Sequence, residues 1–223
     1  MPSISSIERI LIIDDNERVR ESYVFPIEAA DREAVPREEP LGKLEDFLAT
    51  PLAADAAVSD YHLSPGNYAF FDGATLVSSW YKNHFPAILC TQFEKANVAR
   101  FRVLRRWIPV VLGPDELNDE SLMKGLELVQ REFQEEYIPT RRPWRALVRF
   151  VEFSEEENYA NAKLPGWGEE VVALRANDLP ETVRQGIRTS VAREEEYRCY
   201  AIANLGAESN DELYLSDWEV PTA

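Results

Sequence analysis

The strongest constraint on this chain is a recurring pattern. Short apolar runs each end in a polar or turn residue and are followed by a stretch with helical spacing. Ile10-Leu11-Ile12-Ile13 ends at Asp14-Asp15, and Ala56-Ala57-Val58-Ser59 ends at Asp60. Ala87-Ile88-Leu89-Cys90 ends at Thr91, and Ile108-Pro109-Val110-Val111-Leu112 ends at Gly113-Pro114. Runs this short, rich in β-branched residues, read as buried strands. Between them, Val19, Tyr23, Ile27 and Ala30 share one helical face over residues 17–30, which Pro26 should bend or shorten. Residues 68–82 and 94–107 also read as helices, and Leu122, Leu126, Val129, Phe133 and Tyr137 form the clearest stripe. Strands alternating with helices predict an α/β unit whose parallel sheet is covered on both faces.

The pattern changes at Pro139-Thr140-Arg141-Arg142-Pro143, where two prolines bracket polar residues. Beyond it the apolar period falls towards two, with candidate strands at 144–153, 170–175, 187–193, 197–204 and 211–220 and one helical turn at Leu179–Arg184. The expected organisation is therefore a domain over 1–139 and a small antiparallel β-barrel or sandwich over 140–223.

Charge narrows the functions. With 24 Lys+Arg against 40 Asp+Glu the net charge is −16, and a surface that coats nucleic acid needs a basic face. Cys90 and Cys199 lack the spacing of a zinc site and read as buried free thiols in a reducing compartment. No stretch approaches the ~20 apolar residues that span a bilayer, and the first residues show no secretory pattern. The expectation is a cytoplasmic protein with no membrane or nucleic-acid partner.

In an open parallel sheet, functional groups gather beyond the carboxyl ends of the strands. Asp14, Asp15 and Asp60 would therefore meet at one edge, with Thr91 beside them. Two unit charges 4 Å apart repel by ~4 kcal/mol at an effective dielectric of 20, so such a cluster calls for a cation, a proton or wider spacing. Oxygen ligands without His or Cys favour Mg²⁺. The Asp-x-Asp that haloacid-dehalogenase-like phosphatases carry after their first strand fails at Asn16, and no Gly-rich phosphate loop or Ser/His/Asp nucleophile arrangement occurs.

Ile10-Leu11-Ile12-Ile13-Asp14-Asp15-Asn16, Val58-Ser59-Asp60-Tyr61-His62-Leu63-Ser64-Pro65-Gly66, Ile88-Leu89-Cys90-Thr91 and Pro114 fall in the order and spacing of a known pattern. Over roughly residues 8–138 the sequence resembles the receiver domain of two-component response regulators. The resemblance implies a flavodoxin-like, doubly wound, five-stranded parallel sheet. It further implies Asp60 as phosphoacceptor and Asp15 as a direct Mg²⁺ ligand, with Asp14 holding the metal through water. The backbone carbonyl of His62 would complete the protein's share of the coordination, and Thr91 would follow the phosphoryl group. Partners implied are a histidine kinase or small phosphodonor, protein partners through the C-terminal domain, and a second copy of the chain. No enzyme activity beyond self-phosphorylation and dephosphorylation is expected.

Two positions depart from the family. Gly113 stands where a lysine normally precedes the proline, and Val110 occupies the place of the aromatic switch residue. They motivate a second reading, a degenerate receiver serving as a phosphorylation-independent interaction scaffold. Arg102, Arg105 and Arg106, at i, i+3 and i+4 of the fourth expected helix opposite Phe101 and Leu104, are the candidate interaction face.

Overall fold

The computed structural model describes residues 7–91, 101–193 and 195–220. They form two compact units, one of 7–91 with 107–136 and the other of 101–106 with the described residues from 137 onward.

The first unit is built on five parallel strands, β1 (Arg9–Ile13), β2 (Glu33–Pro36), β3 (Ala56–Asp60), β4 (Ala87–Cys90) and β5 (Val111–Leu112), in the order β2-β1-β3-β4-β5. Its helices are α1 (Glu17–Ala29), α2 (Leu44–Ala49), α3 (Gly73–Lys82) and α4 (Asp119–Glu132). Ile10, Ile12, Val58, Ile88 and Cys90 join Tyr23 and Ile27 of α1 and Leu122, Leu126 and Val129 of α4 in one apolar core. Leu11, Ile13, Ala57 and Leu89 alternate with them and are buried too, as a sheet covered on both faces requires. Phe47 of α2 and Trp80 of α3 pack with ring centres 6.1 Å apart. This is the expected flavodoxin-like sheet.

Several details differ from the sequence reading, and the helix expected over 68–82 begins only at Gly73. Helix α1 runs through Pro26 to Ala29 without shortening. The strand expected over 108–112 is reduced to Val111–Leu112. The helix expected over 94–107 lies partly outside the described residues. Its described part is a turn followed by a 3-10 turn at Arg105–Trp107, and 101–106 belong to the second unit. The chain thus leaves the parallel sheet after β4, contributes to the other unit, and returns for β5.

The second unit is an antiparallel sheet of β6 (Trp144–Ser154), β7 (Tyr159–Lys163), β8 (Val172–Leu174), β9 (Arg198–Ala203) and β10 (Leu215–Glu219), ordered β10-β9-β6-β7-β8. It curls into a half-barrel. A register shift between Phe150 and Glu152 leaves Val151 unpaired, the kind of bulge that bends a strand and increases its twist. The strand expected at 187–193 is instead the end of a helix, α5 (Glu181–Val191), and the turn expected at Leu179–Arg184 is its start. Val183 and Ile187 face the core together with Leu179. The spacing of four from Leu179 through Val183 to Ile187 is helical, and it outweighs the β-branched character of Val183 and Ile187, whereas Val191 at the helix end is exposed.

Candidate functional site

Asp14 and Asp15 follow β1, Asp60 ends β3, and Thr91 follows β4. β1 is hydrogen-bonded to β3 on one side and to β2 on the other, so the strand order reverses beside it. Asp14 and Asp60 consequently flank the topological switch point, where a crevice opens above the sheet. Ile13 pairs with Ser59 and Asp60 with Cys90, which sets the carboxylates and Thr91 at one level of the sheet.

The loops hold these groups in specific ways. A carboxylate oxygen of Asp14 accepts the backbone N–H of Asn16 at 2.7 Å, and Asn16 itself caps α1 by accepting the Arg18 N–H at 3.0 Å. Asp60 accepts the backbone N–H of His62 at 2.7 Å and that of Tyr61. His62 is exposed, while Thr91 is buried and donates its N–H to the Leu112 carbonyl at 2.8 Å. Gly73 opens α3 against the end of β3. A Cβ there would lie 1.7 Å from the Asp60 carbonyl oxygen, so only glycine permits this approach.

The electrostatics are those of a crowded anion site. Asp14 is 3% exposed, and burial pushes its carboxyl up to about 7. The Asn16 N–H works against that rise, and the neighbouring charges of Asp60 and Asp15 add to it. Burial also raises Asp60, opposed by the His62 and Tyr61 N–H groups. The nearby cation is Arg20 of α1, whose Nη1 donates to the Asp14 carbonyl oxygen at 2.7 Å and whose charge favours the Asp14 carboxylate.

Among the described residues, no three His, Cys, Asp or Glu side chains form a group ready to hold a metal ion. That does not exclude Mg²⁺, which keeps several waters and takes one or two carboxylates. The donor set here suits such an ion: all-oxygen, over-supplied with negative charge, and with a carboxyl whose ionisation burial opposes. Asp14, Asp15 and Asp60, with the carbonyl of His62, are the groups that would hold it.

Sequence reasoning missed three neighbours. Arg20 could have been found from its position one turn into the helix that follows the aspartate pair. Glu116 folds back to accept the Gly113 N–H at 2.7 Å, placing a carboxylate beside the position the family gives to lysine. The Tyr23 hydroxyl meets the Cys90 thiol under the sheet edge, a contact with no signature in sequence.

The three arginines do not share one exposed helical face. Arg102 is 3% exposed and fully engaged within the second unit. Its Nε donates to Ala173 O at 3.1 Å, Nη1 to Asn210 O and Leu213 O at 2.6 and 2.7 Å, and Nη2 to Asn210 Oδ1 at 2.7 Å. Arg106 pairs with Asp217, and Arg141 donates to the carbonyls of Arg105 and Arg106.

The order β2-β1-β3-β4-β5 makes the first unit a flavodoxin-like α/β domain, with acidic residues beyond β1 and β3. No protein-family model and no curated protein matches the chain. Solved structures do. A response-regulator receiver domain from Clostridium thermocellum is 14% identical, covering 58% of this chain and 98% of that one with a TM-score of 0.43. The Francisella response regulator 1452 receiver domain is 14% identical over 56% and 98%, with a TM-score of 0.40. RcsB from Salmonella enterica serovar Typhimurium, bound to a promoter in the presence of phosphomimetic BeF3−, is 19% identical over 59% and 67%, also at 0.40. The likeness lies in the N-terminal part, and the C-terminal β unit is unrecognised.

Proposed function

We propose that this chain is a response-regulator-like signalling protein that accepts a phosphoryl group on Asp60, with Mg²⁺ held at Asp14, Asp15, Asp60 and the His62 carbonyl. The observation that carries the reading is the meeting of Asp60 with Asp14 and Asp15 at the switch point, where burial and mutual repulsion lift Asp14 to about 7. A site so loaded with carboxylates is costly unless a cation or a reaction uses it.

In the reaction, an Asp60 carboxylate oxygen attacks phosphorus of a phosphorylated histidine or a small phosphodonor. The new P–O bond forms as the bond to the leaving group breaks, and the leaving group keeps that electron pair. Mg²⁺ held by Asp14, Asp15, Asp60 and the His62 carbonyl would supply positive charge against the phosphoryl oxygens. The His62 and Tyr61 N–H groups hold the Asp60 carboxylate in place, and Thr91 receives the arriving oxygens. The result is an altered association with protein partners through the C-terminal unit, in the cytoplasm, with no turnover of an external substrate. Among the described residues, no helix is long and apolar enough to cross a membrane.

Incubation with Mg²⁺ and acetyl phosphate should add the mass of one phosphoryl group to the wild-type chain and none to Asp60→Asn. Equal masses in the two proteins would sink the proposal.

One pair of observations favours the scaffold reading instead. Glu116 rather than a lysine ammonium lies at Gly113, and Val110 is buried where the Cβ of any larger residue at Gly125 would meet it at 3.1 Å. Under that reading, partner binding and dimer formation are the same for wild-type, Asp60→Asn and Asp60→Glu.

A further inference from the structure

In the second unit, β6 outruns its neighbour: it is 11 residues long and β9 is 6. Among the described residues, the ladder between them ends at Arg149 and Arg198, with one further bond from the Phe150 N–H to the Tyr197 carbonyl at 3.1 Å. Past the register shift at Val151, β6 continues to Ser154 and is paired only with β7, on its other side. Backbone groups of an antiparallel strand point alternately to its two sides. Part of the overhang from Val151 to Ser154 therefore presents N–H and C=O groups away from β7, as the edge of a sheet does.

The chain that could continue the ladder is held on α5 instead. The Glu195 N–H donates to the Ser190 carbonyl at 2.9 Å. The Tyr197 ring lies on Gly186, so close that a Cβ there would stand 2.3 Å from it, and its buried hydroxyl has no hydrogen-bond partner among the described residues. The gap is therefore built into the fold: a cavity of about 380 Å³ bounded by the overhang, α5 and residues 195–197. Phe150, Phe153 and Tyr197 give it an apolar wall, and Val151 and Val191 line it while 43% and 62% exposed. Two exposed carboxylates, Glu152 and Glu195, also line it. Glu152 accepts the Asn161 side-chain amide at 2.7 Å, and among the described residues neither carboxylate meets a cation. Glu196, by contrast, is already engaged with Arg149 and Arg198.

Three demands meet in this gap. The strand edge calls for backbone partners, the wall for apolar side chains, and the rim for positive charge. An extended peptide answers all three, since it bonds to the edge as an added strand while its alternate side chains face the wall and the rim. A small organic cation leaves the edge bare, and an acidic segment meets like charge. The net charge of −16 attracts basic partners to the same chain. We propose that the overhang of β6 is a docking site for an extended segment of a partner protein in which apolar residues alternate with lysine or arginine. The site lies wholly within the second unit and needs no phosphoryl group, so it stands apart from the receiver reading.

The probes are capped pentapeptides: Lys-Val-Lys-Val-Lys, its counterpart Glu-Val-Glu-Val-Glu, and two copies of the first with backbone N-methyl groups on either the valines or the lysines. Added to the full chain at low salt, the lysine peptide should shift the amide resonances of 150–153, 187–191 and 195–197, and the glutamate peptide should not. Only one set of peptide N–H groups can face β6. One methylated copy should therefore bind about ten-fold more weakly or worse, and the other within about two-fold of the parent. Val191→Lys and Glu195→Lys, both at exposed positions, should each weaken the parent peptide about ten-fold while leaving the rest of the spectrum in place. Absence of shifts in those segments, equal binding of the glutamate peptide, or equal affinity of the two methylated copies overturns the proposal, the last because side chains alone would then be recognised. Each of these failures leaves the receiver reading untouched.

Discussion

Asp14 combines nearly complete burial with two acidic neighbours, and the consequence can be followed in stability. Its carboxyl titrates near 7 in the folded chain against 3.8 as a free side chain, chiefly because burial disfavours the charge. Between those values the folded state holds a proton that the unfolded state has released. This group's contribution to stability therefore falls as pH rises from about 4 to 7, then stays constant. Asp14→Asn removes the charge and keeps an acceptor for the Asn16 N–H. The variant should be more stable than wild-type at pH 8 by up to about 4 kcal/mol, since each tenfold change in proton affinity is worth about 1.4 kcal/mol. The gap should close towards pH 4, and urea titrations across that range measure it. Mg²⁺ added at pH 8 should narrow it by stabilising only the wild-type site. Gly113 bears on the same charge balance. A Cβ built there meets Glu116 Oε2 at an ordinary 3.5 Å, and its φ of −77° suits any residue. Gly113→Lys should therefore fold normally and, by adding a cation, tighten beryllofluoride binding about ten-fold, a change of about 1.4 kcal/mol read by fluorescence titration.

The elements show which signals survive translation into structure. β1, β3 and β4 are legible because three or four apolar residues in a row, closed by a polar residue, admit few other readings, and the site follows from where those runs end. β2 is hidden because Glu33-Ala34-Val35-Pro36 is a short, half-exposed edge strand with no apolar run. α5 misleads because its many β-branched residues suggest a strand, although the spacing of four from Leu179 through Val183 to Ile187 is the truer guide. Arg20 sits one turn into α1 but outside its apolar stripe, and Glu116 acts through a turn conformation that sequence periodicity does not encode. Gly73 is the element-scale counterpart of the site. It lets the first turn of α3 rest on the Asp60 carbonyl, with its N–H bonded to Tyr61 O at 2.8 Å. Gly73→Ala forces α3 away from β3. It should cost about 3 kcal/mol, the upper end of ordinary overpacking, and weaken beryllofluoride binding because the 61–72 loop moves with the helix. Thermal melts and mimic titration on the same variant separate the two effects. Unchanged stability would mean that the helix start has another seat.

At the scale of the whole chain, the turn-rich break at 139–143 suggests a simple cut, yet the second unit includes 101–106. A fragment of 140–223 lacks Phe101, whose burial is worth roughly 2–3 kcal/mol. It also leaves the carbonyls of Ala173, Asn210 and Leu213 without their guanidinium donor. A buried acceptor stripped of its partner costs about 1–3 kcal/mol, although carbonyls that can reach water recover much of that. Domains this small hold only about 3–5 kcal/mol in reserve. The losses are therefore comparable with the whole margin, whereas the exposed ion pairs of Arg188 with Glu155 and Glu181 add little to it. The 140–223 fragment should melt broadly and at lower temperature than the same residues in the full chain. A peptide of 97–107 added to the 140–223 fragment should raise its midpoint in proportion to the logarithm of peptide concentration and sharpen the transition. If 140–223 alone melts as sharply and as high as it does in the full chain, the segment only rests on the second unit and is not part of its core.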